Sequence, residues 1–383
     1  GDDILDGGEG NDTLDGGDGV DTAVYGGDFG DYDVVPGSWT VTDNNPGDGD
    51  DGSDTLTGIE ELDFADTDVW LVGHGGLTTI QEAIDLASAG DTILLGDGVY
   101  DDDLTQIHVD KDINLVGAGS GLTTVNAMFD TGSSGDSRGW FLVDDGVEFN
   151  VSGMTLDGNG HEIYQGVRHK GSGSFDDVAF NDIAYFESGP SYSGVGIAIW
   201  GGGNLDVTNS TFDGIGRIGV LYYGPGTTGT FQDNTYTGKG AGDWLDYGVE
   251  VGGGAYADII DNTFSGSLGV ASSDGSKSGS SCAPSPHRTS HEEDVSARSP
   301  RPRASPTRWG RRSPRAGWPG SRPSSSGTSG VRCPTPSQGG SWRSRISCPR
   351  STGNRVVSGP PTMRALSSAR RRRFATARRC HPR

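Results

Sequence analysis

The stretch "STFDGIGRIGVLYYGPGTTGTFQDNTYTG", residues 210–238, carries one small signature twice, as "STFDG" and "NTYTG", with the apolar run "GVLYY" between them. The signature recurs on both sides. "MTLDG", "VAFND", "STFDG", "NTYTG" and "NTFSG" place Leu156, Phe180, Phe212, Tyr236 and Phe264 at equivalent positions, 24, 32, 24 and 28 residues apart. A unit of that length cannot bury its own apolar face, so it stacks on its neighbours. One coil of a parallel β-helix has this size, with the surplus residues in loops. A sandwich also spaces its turns regularly, but nothing makes it repeat one coil signature.

Each coil holds a second strand: "GVRHK" (166–170), "GIAIW" (196–200), "GVLYY" (219–223) and "GVEVG" (248–252). Side chains in a strand alternate between faces. With Val167, Ile197, Val220 and Val249 inward, His169, Ile199, Tyr222 and Val251 point inward too. His169 therefore reads as an interior histidine rather than a base. The outward rows are Arg168, Ala198, Leu221, Glu250 and, beside them, Lys170, Trp200, Tyr223, Gly252. Aromatic faces suit sugar rings, and Arg or Lys suits a uronate carboxylate. Arg168, Lys170, Trp200, Tyr223 and Glu250 thus form a candidate binding ribbon for an acidic, alginate- or pectate-like polysaccharide. The plain alternative is a solvated face with scattered aromatics.

Upstream, "TTIQEAIDLASAGDTILLGDGVY" (78–100) places Ile80, Ala83, Ile84 and Ala87 on one helical face, with Thr79 as a cap and Gly90 as a stop. The pattern predicts a helix over about 79–89, then a strand from "DTILL". This helix–strand unit resembles the N-terminal cap of the right-handed parallel β-helices of the pectin-lyase-like superfamily, and "INLVGAG" (113–119) continues the resemblance.

At the N-terminus the period shortens. "GDDILD" (1–6), "GGEGNDTLD" (7–15) and "GGDGVDTAV" (16–24) align Asp3, Asp12 and Asp21, nine residues apart, and likewise Leu5, Leu14 and Ala23. Gly8, Gly10, Gly17 and Gly19 let tight turns form at no steric cost. Such turns aim carbonyls at one spot and the aspartate adds a carboxylate, an oxygen-only donor set that suits calcium. Residues 7–15 match G-G-x-G-x-D-x-U-x throughout, and the segment resembles the RTX (hemolysin-type repeat) family of secreted bacterial proteins. The resemblance implies a parallel β-roll with calcium between stacked turns, and export to the cell exterior by a type I-like route. Like-sided turns lie eighteen residues apart, which pairs Asp3 with Asp21; Asp12 would meet position 30, a glycine, so Asp31 of "GGDFGD" (26–31) is its expected partner. In "DGSDTLTGIEELDFAD" (51–66), Gly52, Asp54 and Leu56 return to repeat register, making Asp54 a further ligand candidate. The array enters mid-repeat, as expected of a fragment whose upstream repeats are missing.

A β-helix beside RTX repeats is similar to the secreted mannuronan C5-epimerases, and "MTLDGN" (154–159) resembles part of their catalytic module. Their signature G-Y-G-F-D-P-H-E aligns with "GVGIAIWG" (194–201), which puts Ala198 and Trp200 where the acting aspartate and histidine belong. The order of modules is also reversed. Both departures speak against that chemistry. A uronate lyase needs a cation on the carboxylate and a base. By analogy with pectate-type lyases, Arg168, Lys170 and Arg217 are the candidate catalytic residues, with Glu250, Asp243 or Asp246 as ion ligands. The competing class is a non-catalytic extracellular binding protein.

The expected organisation is all-β: RTX repeats over 1–34, a β-rich module over 35–72, a right-handed parallel β-helix over 73–280, and a disordered tail over 281–383. Charge divides at the last boundary. Residues 1–280 hold seven Lys or Arg against 50 Asp or Glu, whereas 281–383 hold 22 arginines, no lysine and three acidic residues. All four cysteines and 14 of the 18 prolines are also in the tail. The acidic part disfavours nucleic acid and anionic membranes as partners, no stretch is apolar enough to span a bilayer, and a monomer is expected. The tail reads as a basic arm, a disordered linker or a translation of the wrong frame. Arginine without lysine favours the last, because GAC-GGC read out of phase gives CGG. Resequencing is expected to show a one-base insertion or deletion near codons 276–281, with in-frame coils beyond; an intact frame refutes this reading.

Overall fold

The computed structural model describes residues 1–47, 49–186 and 189–279, together with the backbone of 343–344. Apart from that pair, the basic tail 281–383 and its expected disorder lie outside the described residues.

From Thr92 to Ser267 the chain winds as a parallel β-helix with three strands per coil. Six strands, Ile107–Val109, Gly139–Val143, Gln165–His169, Val195–Ile199, Ile218–Tyr223 and Tyr247–Gly252, form one purely parallel sheet. The other two faces run side by side. Strands Glu148–Asp157 and Ser172–Asn181 contribute to both, bending at Gly153 (φ 64°) and Asp177 (φ 52°). Later coils bend at Asn209, Asp233 and Asp261, all with φ of 50–56°. Asn and Asp tolerate this left-handed conformation better than other side-chain-bearing residues. From Asp177 onward the residue after each bend joins a hydrogen-bonded ladder: Val178 N–H donates to Ser210 Oγ, Ser210 N–H to Asn234 Oδ1, and Asn234 N–H to Asn262 Oδ1.

Stacking in register decides the core. Leu156, Phe180, Phe212, Tyr236 and Phe264 lie opposite one another in successive coils, as the repeated signature predicts. The Phe180 and Phe212 rings stack at 4.8 Å and 3°. On the six-stranded sheet Val167, Ile197, Val220 and Val249 form the inward row, all within 1% of complete burial. Burying such side chains contributes about 1.5–3 kcal/mol each. Tyr222 is fully buried, and its hydroxyl donates toward the carbonyls of Leu205 and Thr230.

The helix spans Ile80–Leu86, ending three residues before the expected limit. Thr79 Oγ1 accepts from Glu82 N–H, and Ile80, Ala83 and Ile84 face the main core. Lys111 Nζ donates to the terminal carbonyls of Ile84 and Ala87, the favourable position for a cation at a helix C-terminus.

The N-terminal segment is a short roll. Ile4–Leu5 pairs in parallel with Thr22–Val24, eighteen residues on as expected. Thr13–Asp15, however, pairs in parallel with Ser53–Thr57, because Tyr32–Val35 and Thr40–Asp43 form an antiparallel hairpin inserted between them. The turn that follows Asp12 in space is therefore the one holding Asp54, not Asp31. Strand Asp68–Val72 pairs antiparallel with Glu61–Asp63 and parallel with Thr92–Leu95. Val69 and Leu71 pack into the roll, and Trp70 and Val72 into the helix core.

His169 is fully buried, edge-on to Phe175 at 6.4 Å, and burial pushes its pKa down to about 4. The unfolded chain, with a pKa near 6.5, binds the proton more readily. Stability is therefore full above about pH 6.5 and falls as pH drops toward 4, by on the order of 3 kcal/mol. Urea unfolding midpoints at about pH 7 and about pH 5 should differ clearly for the wild type and less for His169→Leu; equal pH dependence overturns this.

Candidate functional site

Loops of variable length occur at one junction of each coil, where the chain enters the six-stranded sheet. The longest joins Ser172–Asn181 to Val195–Ile199 and accounts for the 32-residue spacing. Loop side chains consequently gather over the outer face of that sheet, where the outward rows lie. Arg168, Ala198, Leu221 and Glu250 do stand in register, and Tyr223 lies opposite Gly252.

The ribbon is not bare. Ala198 is fully buried in a small outer cluster with Val195 and Ile218, onto which Trp200, Leu221 and Tyr247 pack. The Arg168 guanidinium lies 3.9 Å from the Trp200 ring centroid, a cation–π contact. Gly139 begins the neighbouring strand, and a Cβ there would stand 2.7 Å from Arg168 Cβ. Arg168 Nε donates to Asp136 Oδ1 at 2.9 Å and Lys170 Nζ to Asp136 Oδ2 at 3.1 Å. Lys170 also lies 3.7 Å from Asp144, which pairs with His108 at 3.0 Å. The two cations hold the Asp136 carboxyl below its usual range. Arg168 and Lys170, named from the sequence as candidate bases, are thus engaged in ion pairs.

The other candidates separate. Tyr223 is 42% exposed, one coil beyond Trp200. Glu250 is three coils from Arg168, about 14 Å at the usual strand spacing. Burial pushes the Glu250 carboxyl up, opposed by the Arg217 guanidinium. Arg217 forms no ion pair among the described residues. Asp243 accepts from Ser272 N–H and Oγ–H. Asp246 is fully buried, accepting from the Tyr236 hydroxyl and Lys239 N–H. Both carboxylates carry hydrogen bonds of the fold, Asp246 from a buried position and Asp243 at the surface.

Sequence reasoning missed the loop partners. Arg138 lies over Tyr164 at 4.5 Å and Lys239 over Tyr192 at 4.7 Å. Lys239 Nζ donates to the carbonyls of Ile215 and Gly216, and burial brings its pKa down to about 8. Arg138, Tyr164 and Tyr192 belong to no repeat, so periodicity carried no signal for them. Two concavities, of about 240 and 220 Å³, are lined by Asp157, Asn181, Asp182 and Asp213 and by Asp112, Asn114, Glu148 and Asn150 among others; neither includes a ribbon residue.

In the roll, each aspartate of the repeat donates its backbone amide to a carboxylate of the turn after it. Asp3 N–H donates to Asp21 Oδ1 at 2.7 Å, Asp21 N–H to Glu60 Oε2 at 2.8 Å, and Asp12 N–H to Asp54 Oδ1 at 2.9 Å. Gly8, Gly10, Gly17 and Gly19 all have positive φ. Asp31 stands outside both rows, its carboxylate accepting from Asn45 Nδ2. Burial is the main influence pushing the Asp54 carboxyl up. Asp21 is fully buried, and its Oδ2 has no hydrogen-bond donor among the described residues. A Cβ on Gly16 would meet both that oxygen, at 2.7 Å, and the Gly58 carbonyl oxygen, at 2.2 Å. No three acidic, His or Cys side chains converge as a metal cluster among the described residues. Any cation held here draws on turn carbonyls as well as carboxylates.

A family model described as a right handed beta helix region matches residues 195–279. No curated protein and no solved structure matches the chain. The matched stretch and the parallel sheets together make the architecture a right-handed parallel β-helix. Among the described residues no helix is long and apolar enough to cross a membrane.

Two ion pairs, one buried and one half-exposed, should differ in weight. Asp246→Ala leaves Lys239 and the Tyr236 hydroxyl without their buried partner and is expected to cost about 3–5 kcal/mol. Asp136→Ala breaks a half-exposed pair and is expected to cost under about 1 kcal/mol. Urea unfolding of both variants checks the order.

Proposed function

We propose that the chain is an extracellular binding protein whose β-helix holds an acidic polysaccharide along the outer face of the six-stranded sheet, and whose N-terminal roll is ordered by calcium. The observation that carries the first part is charge segregation. Of the seven basic residues in 1–280, Arg138, Arg168, Lys170 and Arg217 lie on this sheet or its flanking loops, and Lys239 reaches the loop carbonyls of Ile215 and Gly216 from the neighbouring strand Thr235–Gly240. Three of them already face aromatic rings. A cationic, aromatic strip on an acidic body steers polyanions to one place. Trp200→Ala is expected to weaken binding of oligogalacturonate or alginate oligomers through lost stacking, and Arg168→Ala to flatten its salt dependence. Equal affinity for neutral glucans, or none for either class, would reject the reading.

The fit of a hard cation to the roll rests on the donor-free oxygen of Asp21 and the adjoining glycine carbonyls. Asp21 and Asp12 would supply carboxylates, with Asp3, Asp54 and the turns around Gly8–Gly10 and Gly17–Gly19 beside them. Calcium would neutralise carboxylates that otherwise repel. Asp21→Ala and Asp12→Ala should weaken calcium binding in calorimetry, whereas exposed Asp33→Ala should not. Because the Asp54 carboxyl holds its proton above the usual range, affinity should begin to fall at a pH above that range. An unchanged circular dichroism spectrum with no heat of binding would sink this part.

A uronate lyase is the second reading. What favours it is Arg217, outside any ion pair among the described residues and electrostatically coupled to Glu250 and Tyr247. Growth of unsaturated-uronate absorbance, abolished by Arg217→Ala, would establish it.

A further inference from the structure

The cations and the anion at the head of the ribbon are not held equally. Arg168 exposes 14% of its side chain and Lys170 22%, whereas Asp136 exposes 51%. Arg168 is fixed from three sides, by the Trp200 ring, by Gln165 Oε1 at 3.1 Å and by Asp136. Lys170 has a second carboxylate in Asp144. The cations therefore keep their places without Asp136. The Asp136 side chain, by contrast, projects from the short turn Gly135–Arg138. The backbone of that turn is anchored separately: Gln106 Nε2 donates to the carbonyls of Asp136 and Gly139, and Gly132 N–H to that of Ser137. A change of rotamer at Asp136 thus leaves the turn in place.

From this asymmetry we infer that Arg168 and Lys170 form a preorganised receptor for one carboxylate, that Asp136 occupies it in the free protein, and that an anionic sugar enters by exchange with Asp136. The inference rests on the acidic-polysaccharide reading and deepens it. It assigns the ligand's carboxylate to one position, bridging Arg168 and Lys170 beside the Trp200 ring. The chemistry on each side of the exchange is the same, one carboxylate for another, so the internal carboxylate lowers apparent affinity without abolishing binding. Neutral sugars cannot make the exchange and gain nothing from it. Asp136 thereby acts as a specificity filter.

The experiment compares the full chain with Asp136→Asn and Asp33→Asn by calorimetry against oligogalacturonate, with maltooligosaccharide as the neutral probe. Asparagine keeps the shape and removes the competing charge. Asp136→Asn is expected to bind oligogalacturonate on the order of tenfold more tightly, at a cost of only a few degrees in thermal midpoint. Asp33→Asn changes net charge equally, on the exposed face of the hairpin strand Tyr32–Val35, and leaves the receptor filled, so it should shift affinity by less than about twofold. Arg168→Ala in the Asp136→Asn background should erase the gain. Wild-type binding that is unchanged or weakened by Asp136→Asn overturns the inference while sparing the reading beneath it. An equal gain from Asp33→Asn also overturns it, since net charge then accounts for the effect. No binding by the wild type or by either variant rejects the reading itself, and the inference with it.

Discussion

Parallel pairing of each coil with the next, in constant register, is the constraint on which the rest depends. A strand that must present its inward side chain directly above the previous one has no freedom to slip, because a shift of one residue turns the whole apolar row outward. The rows Val167–Ile197–Val220–Val249 and Leu156–Phe180–Phe212–Tyr236 meet that condition over successive coils. The bends obey it as well. Left-handed Asp or Asn residues recur at one corner, and the Ser210–Asn234–Asn262 ladder satisfies amides that the corner takes out of the sheets.

Regularity at two corners leaves variation to the third. Insertions there do not disturb stacking, so the loops entering the six-stranded sheet differ from coil to coil in length and composition. They bring Asp136, Arg138, Tyr164 and Tyr192 to one face, where Lys239 of strand Thr235–Gly240 meets Tyr192. The scaffold supplies flat, evenly spaced positions, and the loops supply chemistry that no repeat encodes.

What was legible in the sequence followed from this division. The inward rows, the buried His169 and the order of the outward ribbon all come from strand alternation within a repeated unit, a local signal. Ala198 was expected to be outward, and it is, but a cluster formed with the start of the next strand covers it. Asp136 was invisible because it lies in a glycine- and serine-rich loop whose path depends on tertiary contacts. The Asp12 row was misread for a related reason. Periodicity pointed to the next repeat, whereas an inserted hairpin moved the partner to Asp54, 42 residues away. A period predicts neighbours only while nothing interrupts it.

The strand Asp68–Val72 serves two cores at once, with Val69 and Leu71 on one side and Trp70 and Val72 on the other. Thr92–Leu95 repeats the arrangement, since Leu94 faces the roll and Ile93 and Leu95 the helix core. Shared walls of this kind make separate melting costly. If the roll came apart, Val69, Leu71, Ile59 and Leu62 would meet water while the opposite faces of the same strands stayed packed. An ion that tightens the roll would therefore be felt in the first coil of the helix, through two strands that neither core can release alone.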